Sequence, residues 1–65
     1  MITVNGKAVE AQEGESLLSL LERLGYRLDV IAVEHNGAIK SKVDYALIPL
    51  QHGDRVEVVS FVGGG

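Results

Sequence analysis

Leucines at positions 17, 20, 21 and 24 constrain this 65-residue chain most. Their spacing is i, i+3, i+4, i+7, which puts all four on one face of a helix. Leu18 widens the stripe, while Glu22 and Arg23 fall on the wet side. Ser16 stands where its hydroxyl can accept from an orphan N–H two or three residues on. Glu13 and Glu15 lie near the positive end of the helix dipole, and Gly25 sits where a C′ glycine belongs. The spacing predicts a helix of about nine residues, shorter than water alone sustains. Such a helix must lean on something, and no second stripe of this kind exists. The remaining partner is a sheet.

The strands are legible on either side. Ile2 to Asn5 and Lys7 to Ala11 flank Asn5-Gly6, a pair suited to the type I′ turn, which needs positive φ at both central positions. Ile2, Val4 and Val9 are the expected inward residues. Val30 to His35 is a β-branched run, and Asn36-Gly37 turns it into Ala38-Ile39. Lys40 to Tyr45 is polar and reads as turn or a short 3₁₀ piece. Ala46-Leu47-Ile48 reads as a short strand ended by Pro49, which cannot donate to a ladder. Gln51 to Asp54 forms a turn into a last strand, Arg55 to Phe61. The order is β-β-α-β-β-β, an α+β class with a mixed sheet of four to five strands. One helix covers one face, and the other is left to solvent or a partner. Residues 1–62 form the domain, and 63–65 a flexible glycine tail.

Composition narrows the function. Hydrophobic residues make up 46%, enough for one core. There is no cysteine, so no disulfide and no thiolate chemistry is available. A net charge of −3 argues against nucleic acid. The longest unbroken apolar run, Val30 to Val33, is too short for a membrane span. Met1 leads straight into a strand pattern, so no signal peptide is expected and a cytoplasmic location is the default.

No catalytic constellation emerges. His35 and His52 have no companion ligands at metal spacing. The serines lack a nucleophile-elbow context, the glycines do not form a phosphate loop, and His52-Gly53-Asp54 reads as a turn alone. The acids are spread out and read as solubilising surface. The unusual group is the α-carboxylate expected on Gly65, held out on the thin leader Gly63-Gly64. Terminal residues commonly fray without function, so the tail acquires meaning only from the rest of the chain. If Val56 and Val58 face the helix, Glu57, Val59 and Phe61 face the other way. Val59, Phe61 and Val62 then form a candidate docking patch beside the tail, unless Phe61 folds back onto the core edge.

These residues together resemble the ubiquitin-like, β-grasp sulfur-carrier family, most closely its thiamine-biosynthesis members. The resemblance runs through Asn5-Gly6, Glu13-Gly14-Glu15-Ser16-Leu17 with Leu20-Leu21, and Ile31-Ala32-Val33-Glu34-His35-Asn36-Gly37. It continues through Gly53-Asp54-Arg55-Val56-Glu57 to Phe61-Val62-Gly63-Gly64-Gly65. The resemblance implies a protein cosubstrate, free as a monomer, and not an enzyme. An E1-like adenylyltransferase would use ATP and Mg²⁺ to adenylate the Gly65 carboxylate, the chain itself binding neither. A persulfide donor would convert the adenylate to a thiocarboxylate, and a thiazole synthase would take the sulfur. Gly63 and Gly64 would thread the partner's channel. Carriers for molybdopterin synthesis or tRNA thiolation share this chemistry. The molybdopterin carriers usually have a longer chain. A ubiquitin-like interaction or tagging module is the alternative of another class, but no Lys or Arg follows Arg55, where ubiquitin-type modifiers carry basic residues.

Overall fold

The computed structural model describes residues 1–61. Five strands form one sheet: β1 (Ile2–Val4), β2 (Lys7–Val9), β3 (Ile31–His35), β4 (Ala38–Lys40) and β5 (Arg55–Ser60). Their order across the sheet is β2-β1-β5-β3-β4. Only the central pair, β1 with β5, is parallel; the other three pairings are antiparallel. Among the described residues the single α-helix, α1 (Leu17–Arg23), lies between β2 and β3 in the chain.

Both hairpins close where the Asn-Gly pairs stand. Asn5 and Gly6 have φ of 51° and 81°, Asn36 and Gly37 of 51° and 86°. Positive φ at both central positions is what a two-residue turn of matching twist requires. Val4 accordingly pairs with Lys7, and His35 with Ala38.

The helix begins as its cap predicts, with Ser16 Oγ accepting from Ser19 N–H at 3.1 Å. It is shorter than the leucine stripe. Leu17, Leu20 and Leu21 are fully buried, but Leu24 is the C-cap and stands exposed. The reason is local: Gly25, with φ +84°, turns the chain away, and Tyr26 N–H bonds back to Leu21 O at 3.0 Å. The three buried leucines close over Ile2, Val4, Ile31, Val33, Val56 and Val58. Val9, expected inward, is half-buried at the core's margin.

The segment before β5 departs from expectation. Lys42–Leu47 is 3₁₀ helix, so Ala46-Leu47-Ile48 is not a strand. The only ladder contact nearby is a single bridge between Ser16 and Pro49. Pro49 cannot donate, so Leu17 N–H reaches Ile48 O (2.8 Å) and Leu50 N–H reaches Glu15 O (2.9 Å) on either side of it. Tyr45, within the stretch read as polar, is a core residue, only 2% exposed. Val30, assigned to the third strand, instead ends a 3₁₀ turn, Leu28–Val30.

Two carboxylates are buried, contrary to the reading of all acids as surface. Glu15 precedes the helix and receives Arg23 in a bidentate pair: Nε to Oε2 at 2.8 Å and Nη2 to Oε1 at 3.0 Å. Gln12 N–H and Ser19 Oγ–H complete its set. These Arg23 bonds hold the Glu15 carboxyl below its usual range against the opposing effect of burial. Arg23, read as a wet-side residue, thereby straps the end of the helix to its beginning.

Asp54 stands at the root of β5. Its Oδ2 accepts from Gln51 N–H (2.9 Å) and lies 2.9 Å from His35 Nε2, while Oδ1 accepts from Asn36 Nδ2 (3.1 Å). A carboxylate only accepts, so Nε2 carries the proton. Burial pushes this carboxyl up, but the bonds from His35, Gln51 and Asn36 together prevail and hold it below its ordinary value. The turn at 52–54 is therefore a hydrogen-bonded hub and not the plain turn expected from His52-Gly53-Asp54.

Two outcomes follow. Leu21→Ala should lower stability by about 2–5 kcal/mol in urea unfolding, since the site can collapse only partly; a loss under about 0.5 kcal/mol, the scale of a surface change, would contradict helix-on-sheet packing. Glu15 and Asp54 both have folded-state pKa values below their unfolded ones. Their stabilisation is therefore complete above the ordinary carboxylate pKa of about 4 and is lost as pH falls below it. Asp54→Asn should flatten that acid limb and cost about 1–3 kcal/mol at neutral pH; an unchanged limb would show that Asp54 does not contribute.

Candidate functional site

The candidate site is the outward side of β5 and the chain that follows it. Alternation sends Val56 and Val58 into the core, where they are 0% and 9% exposed. Val59 is 62% and Phe61 68% exposed. Of the two places open to Phe61, the structure selects the outer one. Its backbone is nonetheless held, with Phe61 N–H donating to Val30 O at 2.7 Å. Val62, Gly63, Gly64 and Gly65, the rest of the expected patch and tail, lie outside the described residues.

β5 is held along both edges. On one, β3 pairs with it from Ile31↔Ser60 to His35↔Val56. On the other, β1 pairs in parallel through Thr3↔Arg55 and Val4↔Val56, with Thr3 N–H donating to Asp54 O and Asn5 N–H to Val56 O. The asparagine side chains of the two hairpins add to this. Asn36 Oδ1 accepts from Arg55 N–H at 2.8 Å. Asn5 Oδ1 accepts from Val58 N–H at 2.7 Å, and Asn5 Nδ2 donates to Val58 O at 3.2 Å. The sequence reading assigned both asparagines to turns only. Their second role was not visible, because the partners lie 19 and 53 positions away.

The open face of the sheet extends from Val59 across β3 to β4. Val59 stands opposite Ala32, and Glu57 opposite Glu34, which in turn faces Ile39. Ile39 is 78% exposed and enlarges the apolar surface beyond the residues read from sequence. The two carboxylates side by side are a cross-strand arrangement that weakens a sheet. Further from this strand, Val43 and Leu47 are also exposed.

Among the described residues, no three His, Asp or Glu side chains come together to hold a metal ion, and no cavity is present. No described helix is long and apolar enough to cross a membrane. What the described site offers is a strand end hydrogen-bonded along both edges and an apolar surface.

Comparison with known proteins places this arrangement. The thiazole synthase of Magnetococcus marinus is 42% identical over 64 residues, which is 98% of this chain and 20% of that protein. The thiazole synthase of Paramagnetospirillum magneticum is 34% identical over the same shares. The chain thus spans about a fifth of the length of these curated relatives. A crystal structure of the thiamine biosynthesis protein (ThiS) from Geobacter metallireducens superposes with a TM-score of 0.79 at 33% identity, covering 98% of this chain and 97% of that one. The ubiquitin-like β-grasp architecture is therefore shared along nearly the whole length of both. The model of the ThiS family matches residues 2–65, and this chain belongs to that family.

Proposed function

We propose that this chain is a sulfur carrier for thiazole formation in thiamine biosynthesis, with Gly65 bearing the α-carboxylate that is activated. The observation that carries the reading is the ThiS-family match through Gly63-Gly64-Gly65 at positions 63–65. The relatives named thiazole synthase favour thiazole, over molybdopterin or tRNA, as the destination of the sulfur.

A carboxylate is a poor electrophile. In the proposed sequence, a Gly65 carboxylate oxygen attacks the α-phosphorus of Mg²⁺-bound ATP on an E1-like adenylyltransferase. Pyrophosphate leaves and an acyl-adenylate remains. The terminal sulfur of a donor persulfide then attacks the acyl carbon, and AMP leaves with the C–O bonding electrons. The product is an acyl disulfide; a thiol attacks its outer sulfur, forming a new disulfide with the donor and releasing the thiocarboxylate. A thiazole synthase then takes that sulfur. The carrier's own reacting group is the Gly65 carboxylate, and it supplies no catalytic acid or base, so it acts as a cosubstrate. Its contribution is presentation. Val59 and Phe61, with Val62, dock on the partner, while Gly63 and Gly64, lacking a Cβ, pass between its walls.

The first test is ATP–pyrophosphate exchange with an E1-like adenylyltransferase. Deleting Gly65 should abolish carrier-dependent exchange, and Gly64→Ala should depress it, both with unchanged thermal unfolding. Full exchange from the deletion would sink the mechanism. The second test is a binding titration. Phe61→Asp should weaken the adenylyltransferase complex by fivefold or more, roughly the loss of a docked aromatic, with stability within about 0.5 kcal/mol of wild type. Equal affinity would remove Phe61 from the interface.

A further inference from the structure

Asn5 does two things where a turn needs one. With φ of 51° it takes the first central place of the β1–β2 hairpin. A glycine there would adopt that conformation at least as easily. The side chain, however, reaches β5 two residues beyond the last parallel pair, Val4↔Val56, and exchanges two hydrogen bonds with Val58. A carboxamide is planar and carries both an acceptor and N–H donors. It therefore stands in for the peptide unit that β1 would have presented had the chain not turned away. Beyond Val58 lie Val59 and Phe61, both exposed, and then residues 62–65 in covalent sequence.

We propose that Asn5 is a positioning residue for the C-terminal segment. Its clamp on Val58 fixes the root of that segment relative to the apolar surface at Val59 and Phe61. The inference rests on the sulfur-carrier reading, in which one partner must grip that surface and receive Gly65 together. With the clamp in place, surface and root keep one relation. Without it, the β1-side edge of β5 is released at Val58 while β3 still pairs with Val59 and Val30 O still holds Phe61 N–H, so the twist of the strand end varies and only a fraction of carriers is poised for capture. Apparent affinity then falls by that fraction, whereas the chemistry of a carrier once captured does not change. The signature is a rise in KM at constant kcat.

Asn5→Gly tests this, because it keeps the positive-φ turn and deletes only the clamp. Leu20→Val serves as a control that loosens the core and leaves Asn5 in place, compared at temperatures where the two variants are equally stable. Two readouts are needed: amide hydrogen exchange by NMR, and steady-state kinetics of ATP-dependent activation by an E1-like adenylyltransferase that accepts the wild-type chain. In Asn5→Gly, the Val58 amide should exchange about tenfold faster while its β3-side neighbour Val59 holds its protection. KM for the carrier should rise about three- to tenfold with kcat within about twofold, and Leu20→Val should leave KM unchanged. Unaltered Val58 exchange in Asn5→Gly would overturn the clamp. An unaltered KM despite faster exchange, or an equal rise in Leu20→Val, would overturn the positioning role alone. If no adenylyltransferase of this class activates even the wild-type chain, the carrier reading falls and the positioning role falls with it.

Discussion

The carboxylate of Asp54 is the constraint on which the rest of the molecule depends. It sits buried where the last turn becomes the central strand. Its three hydrogen bonds come from the third strand, the second hairpin and its own turn. Its carbonyl takes the first bond from β1, at Thr3 N–H. A buried carboxylate stripped of such partners is strongly unfavourable, so this cluster admits one arrangement of the pieces that meet there. Since β5 lies between β1 and β3, aligning its first residue sets the register of both neighbours.

The two Asn-Gly hairpins act on β5 from opposite edges. Asn36 engages its first residue, Arg55, through backbone and side chain. Asn5 engages Val56 through its backbone and Val58 through its carboxamide. The same dipeptide that closes each hairpin therefore also fastens the strand leading to the glycine tail. On the other face, the Arg23–Glu15 pair ties the last helical turn to the segment before the helix. Glu15 and Ser16 in turn bond the chain around Pro49. A chain this small buries only about 60% of its unfolded surface, and these polar fastenings supplement a core of few residues.

Much of this was legible, and the part that was not has a common cause. Hairpin turns, the helix and the inward alternation of Val56 and Val58 are written in local spacing, because each depends on backbone conformation or on a period within a few residues. Leu24 shows the limit of a period: Leu17, Leu20 and Leu21 follow it into the core, but the helix ends one residue too soon for the fourth. Tyr45 stands at the end of a largely polar stretch, Lys40 to Asp44, and no pattern announces one aromatic turned inward from a 3₁₀ segment. Glu15 and Asp54 were missed because a buried acid is recognisable only through partners, here 8 and 18 to 19 positions away. At the functional end, the outward placement of Val59 and Phe61 followed from strand alternation, whereas Ile39 joined the same face through a pairing that only the sheet order reveals.

In the proposed account, chemistry is supplied by the partners and geometry by the carrier: a rigid strand, an apolar surface and a terminus slender enough to enter another protein's active site. The measurement that tests it most directly is the intact mass of the wild-type chain after incubation with an E1-like adenylyltransferase, ATP, Mg²⁺ and a persulfide source. Fragmentation should then locate any change. The account predicts a mass shift equal to one oxygen replaced by sulfur, confined to Gly65. An unmodified chain, with adenylyltransferases that thiolate other carriers under the same conditions, would contradict it.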